Sequence, residues 1–266
     1  MRRDAYVIGV LEPPRLAAHR REPLLNVPPV ITVLAAAMLL IQLVRDWVDV
    51  ETGIEILALF AFIPARYDPS ILAEGVLPGG AAADAWTFIT YAFLHGGWTH
   101  VGLNLLWMLV FGTPVAQRFG VLRFLLFFAF TAAAGAGLHL VTHEGELVPM
   151  IGASATVYGF MAAAARFMFT RERQGAWRSG MMDGAAQFPA MPLTEVLRSR
   201  RVITFIGVVL VINLAFGLGV PMSPVEGTLA WQAHMGGFLA GLLAFPLFDP
   251  VRRRPGSDSY SRTSRF

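Results

Sequence analysis

"GASATVYGF", residues 152–160, decides how the rest of the chain is read. It sets Ser154 at the start of an apolar helix, with small residues before it and Tyr158 one turn later. A serine in this setting can cap a helix, pack inside a membrane protein, or act as a nucleophile. Serine in a membrane helix most often packs or bonds to a neighbouring helix. The stretch alone therefore decides nothing. The answer depends on which other polar residues reach the same depth.

Composition supplies the setting. Of 266 residues, 55% are hydrophobic and only 15% are charged, with a mean hydropathy of +0.57. Soluble domains carry about 25% charged residues, so a multi-pass membrane protein is expected. Cysteine is absent, which excludes disulfides and cysteine-ligated zinc. All 21 basic residues are arginine, a bias in keeping with a GC-rich bacterium, and the bacterial inner membrane is the expected location. The net charge of +3 is no sign of nucleic-acid binding, because the arginines are sorted by position. Residues 1–27 are polar, with Pro13, Pro14 and Pro23, and do not read as a secretory signal.

A membrane-crossing helix needs roughly 20 apolar residues. Six stretches qualify, at about 28–48, 99–117, 122–141, 150–169, 202–220 and 229–248. Cytoplasmic flanks of such spans are enriched in arginine. Threading six spans puts 19 of the 21 arginines on one side. The other side collects acids, among them Asp49, Glu51, Glu55, Asp68, Asp84, Glu144 and Glu146. The expected fold is an all-α membrane bundle of six spans with both termini cytoplasmic. It divides into a cytoplasmic segment at 1–27, a membrane domain at 28–249 and a disordered basic tail at 250–266. Within the long 49–98 connection, "IEILALFAFIP" reads as a short helix in the outer interface.

Orientation turns sequence positions into depths. Ser154 lies five residues beyond Pro149, and His234 lies five residues beyond Leu229, both on inward-running spans. Each is then roughly 7–8 Å along its helix at 1.5 Å per residue. His100 and Asn104 follow Trp98 by roughly 3–9 Å on the same scale. Four polar side chains from three spans thus share the outer third of the membrane. Polar residues placed there are expensive, and they default to functional hypotheses.

The residue types suggest acyl transfer. A serine hydroxyl is a weak nucleophile, and a neutral imidazole within reach can take its proton. Ser154 would be the nucleophile and His234 the general base. His100 and Asn104 sit four apart on one helical face, where both can donate to a developing oxyanion. The free N–H groups of a helix start also favour negative charge near Ser154. Tyr158 shares the face of Ser154 and can pack on the imidazole. No orienting carboxylate is available at that depth, since Asp46 lies at the outer end of the first span and Asp249 at the cytoplasmic edge. A Ser–His dyad is the expectation.

The other polar residues have plainer readings. Gly237 and Gly241 after His234, and Ala155, Gly159 and Ala163 after Ser154, form small-residue faces for close helix packing. His139 and His143 are too few ligands for a metal, and no HExxH occurs, so no metal or other cofactor is expected. His95 is expected to hold the outer loop, Asn213 to make an interhelical hydrogen bond, and His19 to face solvent or the interface.

The chain resembles the rhomboid family of intramembrane serine proteases. The resemblance is carried by "FLHGGWTHVGLNLLWMLVFG" at 93–112, "GASATVYG" at 152–159 and "AHMGGFLAG" at 233–241, over a motif core of about 85–245. It implies Ser154 as nucleophile, His234 as base, His100 and Asn104 as oxyanion donors with backbone N–H groups, and Tyr158 packed on His234. Gly152 is expected to allow close backbone approach beside Ser154. The family cleaves single-span membrane proteins near the outer part of their transmembrane segment, without metal or ATP. The fifth span and the loop at about 214–228 would form the substrate gate. Three positions depart from the family pattern. Ala155 replaces the usual glycine after the serine, Ala116 and Gln117 stand where an acid is usual, and the outer loop has Trp86 but no Trp–Arg pair. The first departure adds bulk at a helix contact, and the second weakens a cytoplasmic-side contact.

Two other classes compete with a protease. A catalytically inactive rhomboid-like binder of membrane helices would be marked by loss of the serine or histidine, and both are present. A small transporter would carry charge near the midplane, whereas the polar cluster here lies in one leaflet.

Overall fold

The computed structural model describes residues 27–72, 77–170, 189–217 and 230–251. All of the expected 1–27 segment but Val27, with His19 in it, and most of the 250–266 tail lie outside the described residues, as does most of the 214–228 loop. Among the described residues the fold is helical, with one isolated antiparallel bridge and no strand. The main helices are α1 Pro29–Trp47, α2 Val50–Phe60, α3 Gly80–Thr90, α4 Trp98–Phe119, α5 Val121–Thr142, α6 Ser154–Phe167, α7 Arg200–Gly217 and α8 Trp231–Phe248. Helices α1, α4 and α5 are long and apolar enough to cross a membrane. The apolar stretch at 54–64 contributes most of α2, the short helix expected in the long connection.

Helix α6 is the hub. Thirteen of its 14 residues are buried, all but Ser154. At 14 residues it rises only about 21 Å, short of the roughly 30 Å hydrocarbon core. The stretch at 150–169 is therefore not helical throughout, as its apolar character alone would predict. Residues 150–153 approach Ser154 as extended chain and turn, with Gly152 at φ +114°. Non-helical backbone is tolerated at such a place only where protein buries it. Three links supply its partners. Phe62 and Met150 exchange backbone hydrogen bonds of 3.1 and 2.8 Å, Ala65 N donates to Glu146 O at 2.9 Å, and Gly152 N donates to Tyr91 O at 3.0 Å. The buried Tyr91 hydroxyl in turn donates to Ala132 O on α5 at 2.9 Å.

Glycines set how near α8 comes to α6. A Cβ on Gly237 would overlap Ala155 O, and one on Gly241 would overlap Gly159 O. The two small-residue faces meet as expected, backbone to backbone. Helix α8 also lies along α5, where Gly236 passes beside Ala134 O.

Helix α4 changes pitch halfway. Residues Met108–Gly112 form a π turn that ends two residues before Pro114. Proline lacks an N–H and its ring crowds the carbonyl four residues back, so the wider turn relieves an otherwise kinked helix. At the same turn Gly112 lies between Ile31 of α1 and Phe160 of α6.

The end of the bundle remote from Ser154 is held by arginines. Arg118 makes a two-pronged ion pair with Asp249, each hydrogen bond 2.8 Å long, and lies over the Phe167 ring. Arg166 donates to Met191 O at 2.9 Å and to Leu242 O at 2.8 Å.

Candidate active site

Ser154 is the first residue of α6, and the N-cap is Ala153, which makes no side-chain cap. The capping role is thus ruled out by position. The Ser154 hydroxyl instead lies 2.8 Å from His234 Nε2. Each side chain is placed by its helix start, Ser154 as the first residue of α6 and His234 as the fourth of α8. The close α6–α8 approach at Gly237 brings them together. The Tyr158 ring stacks on His234 with centroids 4.5 Å apart and planes 11° from parallel. His234 is buried at 4% exposure, and Ser154 is partly exposed.

His100 and Asn104 come from α4 to the other side of Gly152. A Cβ on Gly152 would lie 2.7 Å from His100 Nε2 and 3.9 Å from Asn104 Nδ2. Only glycine fits there, for that space and for its positive φ. Gly96 N donates to His100 Nδ1 at 3.3 Å. Nδ1 is then the acceptor, so the neutral ring carries its proton on Nε2, on the side that borders Gly152. Asn104 Nδ2 donates one proton to His100 O at 2.9 Å and keeps a second available. The first N–H groups of α6 have no intrahelical acceptor. The structure therefore assembles, around the start of α6, a hydroxyl, an imidazole acceptor and several convergent donors.

His95 holds the loop beneath the site. Its Nε2 accepts from Ala153 N at 3.4 Å, and its carbonyl accepts from Arg45 on α1 at 2.5 Å. Burial, with a smaller contribution from His100, pushes its pKa down to about 3, so it is neutral in the folded protein. The same corner is closed by Trp98 Nε1, which donates to Asp46 Oδ2 at 2.6 Å. His139 and His143 stack on each other at 4.1 Å, and no group of three metal-binding side chains occurs among the described residues.

Asn213 makes its expected interhelical bond, and the partner is the imidazole itself. Its Oδ1 lies 2.8 Å from His234 Nδ1, and its Nδ2 donates to Trp231 O at 3.2 Å. The usual orienting partner of a catalytic imidazole is a carboxylate, so an amide does not announce itself by type. Its depth is the signal. Asn213 is 13 residues into α7, roughly 20 Å from that helix's start, which leaves it near the depth of Ser154.

A family model for the Rhomboid domain matches residues 82–249, well over half of the chain. The chain belongs to the rhomboid family. Rhomboid relatives include the human "Rhomboid-related protein 3", 33% identical over 30% of this chain and 20% of its own length. The Arabidopsis thaliana "RHOMBOID-like protein 6, mitochondrial" is 23% identical over 90% of this chain and 73% of its own. The Bacillus subtilis "Rhomboid protease GluP" is 27% identical over 62% of this chain and 26% of its own. Among the first of these relatives the chain spans only 20–33% of their length.

The three departures from the rhomboid pattern have structural answers. The Ala155 methyl points at Gly135 of α5, where a Cβ would come within 2.5 Å of it. The missing side chain at 135 makes room for the extra one at 155. At the far end, where Ala116 and Gln117 replace an acid, Asp249 supplies the carboxylate for Arg118. In the loop, Trp86 Nε1 donates to Leu59 O at 2.8 Å, and buried Arg66 donates to Ala58 O and Pro78 O. Trp and Arg act there from separate positions.

Proposed function

We propose that this rhomboid protein is an intramembrane serine endopeptidase that cleaves transmembrane segments of membrane proteins through Ser154 and His234. The observation that carries this reading is the 2.8 Å approach of Ser154 Oγ to His234 Nε2. The Ser154 oxygen attacks the scissile carbonyl carbon while its proton passes to Nε2. The oxyanion that forms accepts from His100 Nε2–H, the second Asn104 proton and the backbone N–H of Ser154. The imidazolium then protonates the departing amine, and water hydrolyses the acyl-enzyme by the same route in reverse. Tyr158 keeps the imidazole plane in place, and Gly152 leaves space for the oxyanion. The rhomboid protease of Bacillus subtilis among the relatives supports the same chemistry.

The placement in the membrane belongs to this proposal. Six spans, α1 and α4 to α8, cross with both termini on the cytoplasmic, arginine-rich side, in the bacterial inner membrane. The Ser154 end then lies in the outer leaflet, where water reaches the acyl-enzyme. The substrates are single-span membrane proteins that enter laterally from the lipid bilayer. The test is labelling by a fluorophosphonate in detergent, with Ser154→Ala as control. Labelling of wild type alone is expected, and equal labelling of both forms would sink the reading.

A further inference from the structure

The amide of Asn213 can be oriented without ambiguity. Its Nδ2 faces Trp231 O, a carbonyl that can only accept, so the nitrogen is the donor there. The remaining atom, Oδ1, can only accept, and it faces His234 Nδ1 at 2.8 Å. Nδ1 must therefore carry the proton. In a neutral imidazole that leaves the lone pair on Nε2, the nitrogen 2.8 Å from the Ser154 hydroxyl. One bond on α7 thus decides which nitrogen of His234 is basic. Asn213 is 1% exposed, so water does not replace it.

We propose that Asn213 is the positioning residue of a Ser154–His234–Asn213 relay, holding His234 in the tautomer that can accept the serine proton. It contacts neither the hydroxyl nor the oxyanion donors and acts through the imidazole. A neutral amide suits the location. A carboxylate would orient the ring equally well, but it would bury a charge in a low-dielectric interior. When His234 takes the serine proton, Nδ1 keeps its own, so Asn213 Oδ1 goes on accepting and stabilises the imidazolium. Tyr158 fixes the ring plane while Asn213 fixes its rotation within that plane. The amide is donated by α7, so the base is correctly protonated only while that helix stays seated against α8.

This inference rests on the protease reading, and the experiment separates the two. Fluorophosphonate labelling rates and cleavage of a model transmembrane substrate are compared for wild type, Asn213→Leu and Asn213→Asp in detergent. Asn213→Leu keeps the volume and removes the acceptor. It is expected to lower the labelling rate and kcat about 10–100-fold with KM within about 2-fold, part of the 10²–10⁴ that a general base supplies. Asn213→Asp restores the acceptor and is expected to recover most of the rate. Wild-type kinetics and pH profile in Asn213→Leu would overturn the proposal. Should that variant fail to fold, ¹⁵N-histidine NMR of the wild-type protein decides directly. A His234 signal with Nδ1 protonated supports the relay, and one with Nε2 protonated overturns it. Absence of wild-type labelling would instead defeat the protease reading, while the NMR result still judges the tautomer.

Discussion

The two ends of the helical bundle solve the burial of polar groups in opposite ways. Around Ser154 itself the buried groups that meet are neutral, a hydroxyl, imidazoles and amides joined by hydrogen bonds that dictate tautomers, and the nearby Arg45 and Arg66 donate to backbone carbonyls outside that cluster. At the far end the buried groups are fully charged, with Arg118 clamped by Asp249 and Arg166 spread over backbone carbonyls. Fixed charges suit a clamp because an arginine does not give up its proton. They would not suit a site that must move a proton between two atoms. The bundle separates holding from reacting by choosing which polar residues it buries.

The largest effect that would test this division is at Ser154. Ser154→Ala is expected to abolish Ser154-dependent cleavage, a loss of at least about 10³-fold, while unfolding in detergent shifts by no more than about 1.5 kcal/mol, one hydrogen bond. A large stability loss would mean that the reacting end also holds. Arg118→Met is the converse. Leaving Asp249 buried without its partner should cost about 3–5 kcal/mol, read from chemical denaturation. Labelling per folded molecule should stay near wild type. A loss of labelling in the folded fraction would break the separation of the two ends.

Smaller changes sharpen the picture. Gly135→Ala places a methyl against that of Ala155, and should destabilise by about 1–3 kcal/mol. Ala155→Gly should relieve part of it, giving a coupling of at least about 0.5 kcal/mol in a double-mutant cycle. A coupling of zero would remove the account of why alanine is tolerated at 155. His95 predicts a pH effect. Its folded pKa of about 3 lies below the ordinary histidine value near 6.5, so the unfolded chain binds the proton first. Stability from this group is complete above pH 6.5 and is lost as pH falls towards 3. By pH 5.5 the loss is about 1.4 kcal/mol, and His95→Gln should flatten that part of the melting-versus-pH curve. The smallest effect is at Tyr158, where Tyr158→Leu gives up a ring stack worth about 0.5–1.5 kcal/mol. It should reduce the labelling rate more than it reduces stability.

Much of this was legible in the chain. Hydropathy marks the apolar helices, and depth counting picks out Ser154, His234, His100 and Asn104, which meet around the start of α6. Those residues advertise themselves because polar side chains are rare in apolar runs. What the pattern concealed depends on rotation about helix axes and on contacts between distant segments. The start of α6 at Ser154, rather than near 150, is set by links to Phe62, Ala65 and Tyr91, all remote in sequence. The pairing of Gly135 with Ala155 requires knowing which faces of α5 and α6 touch. Asn213 stands out as a polar residue in an apolar run, but nothing in the pattern says that its amide meets His234. The pairing of Asp249 with Arg118 likewise joins segments far apart in the chain.

The π turn in α4 bears on how this chain tolerates change in length. An extra residue per turn between Met108 and Gly112 sets the angular phase between the two halves of that helix. The half before it presents His100 and Asn104, and the half after it carries Val115 and Phe119 into the core. Deleting one residue there would let the turn relax to ordinary α geometry, because the wider turn holds one residue more than an α turn. The two halves would keep their phase, and His100 and Asn104 would still face Gly152. The same deletion elsewhere in α4 finds no spare residue to absorb it and swings one half by about 100° against the other. Both oxyanion candidates would then leave Gly152 together, with every helix still formed. The turn is slack in the helix, and Met108–Gly112 is the stretch of α4 where losing one residue disturbs the site least.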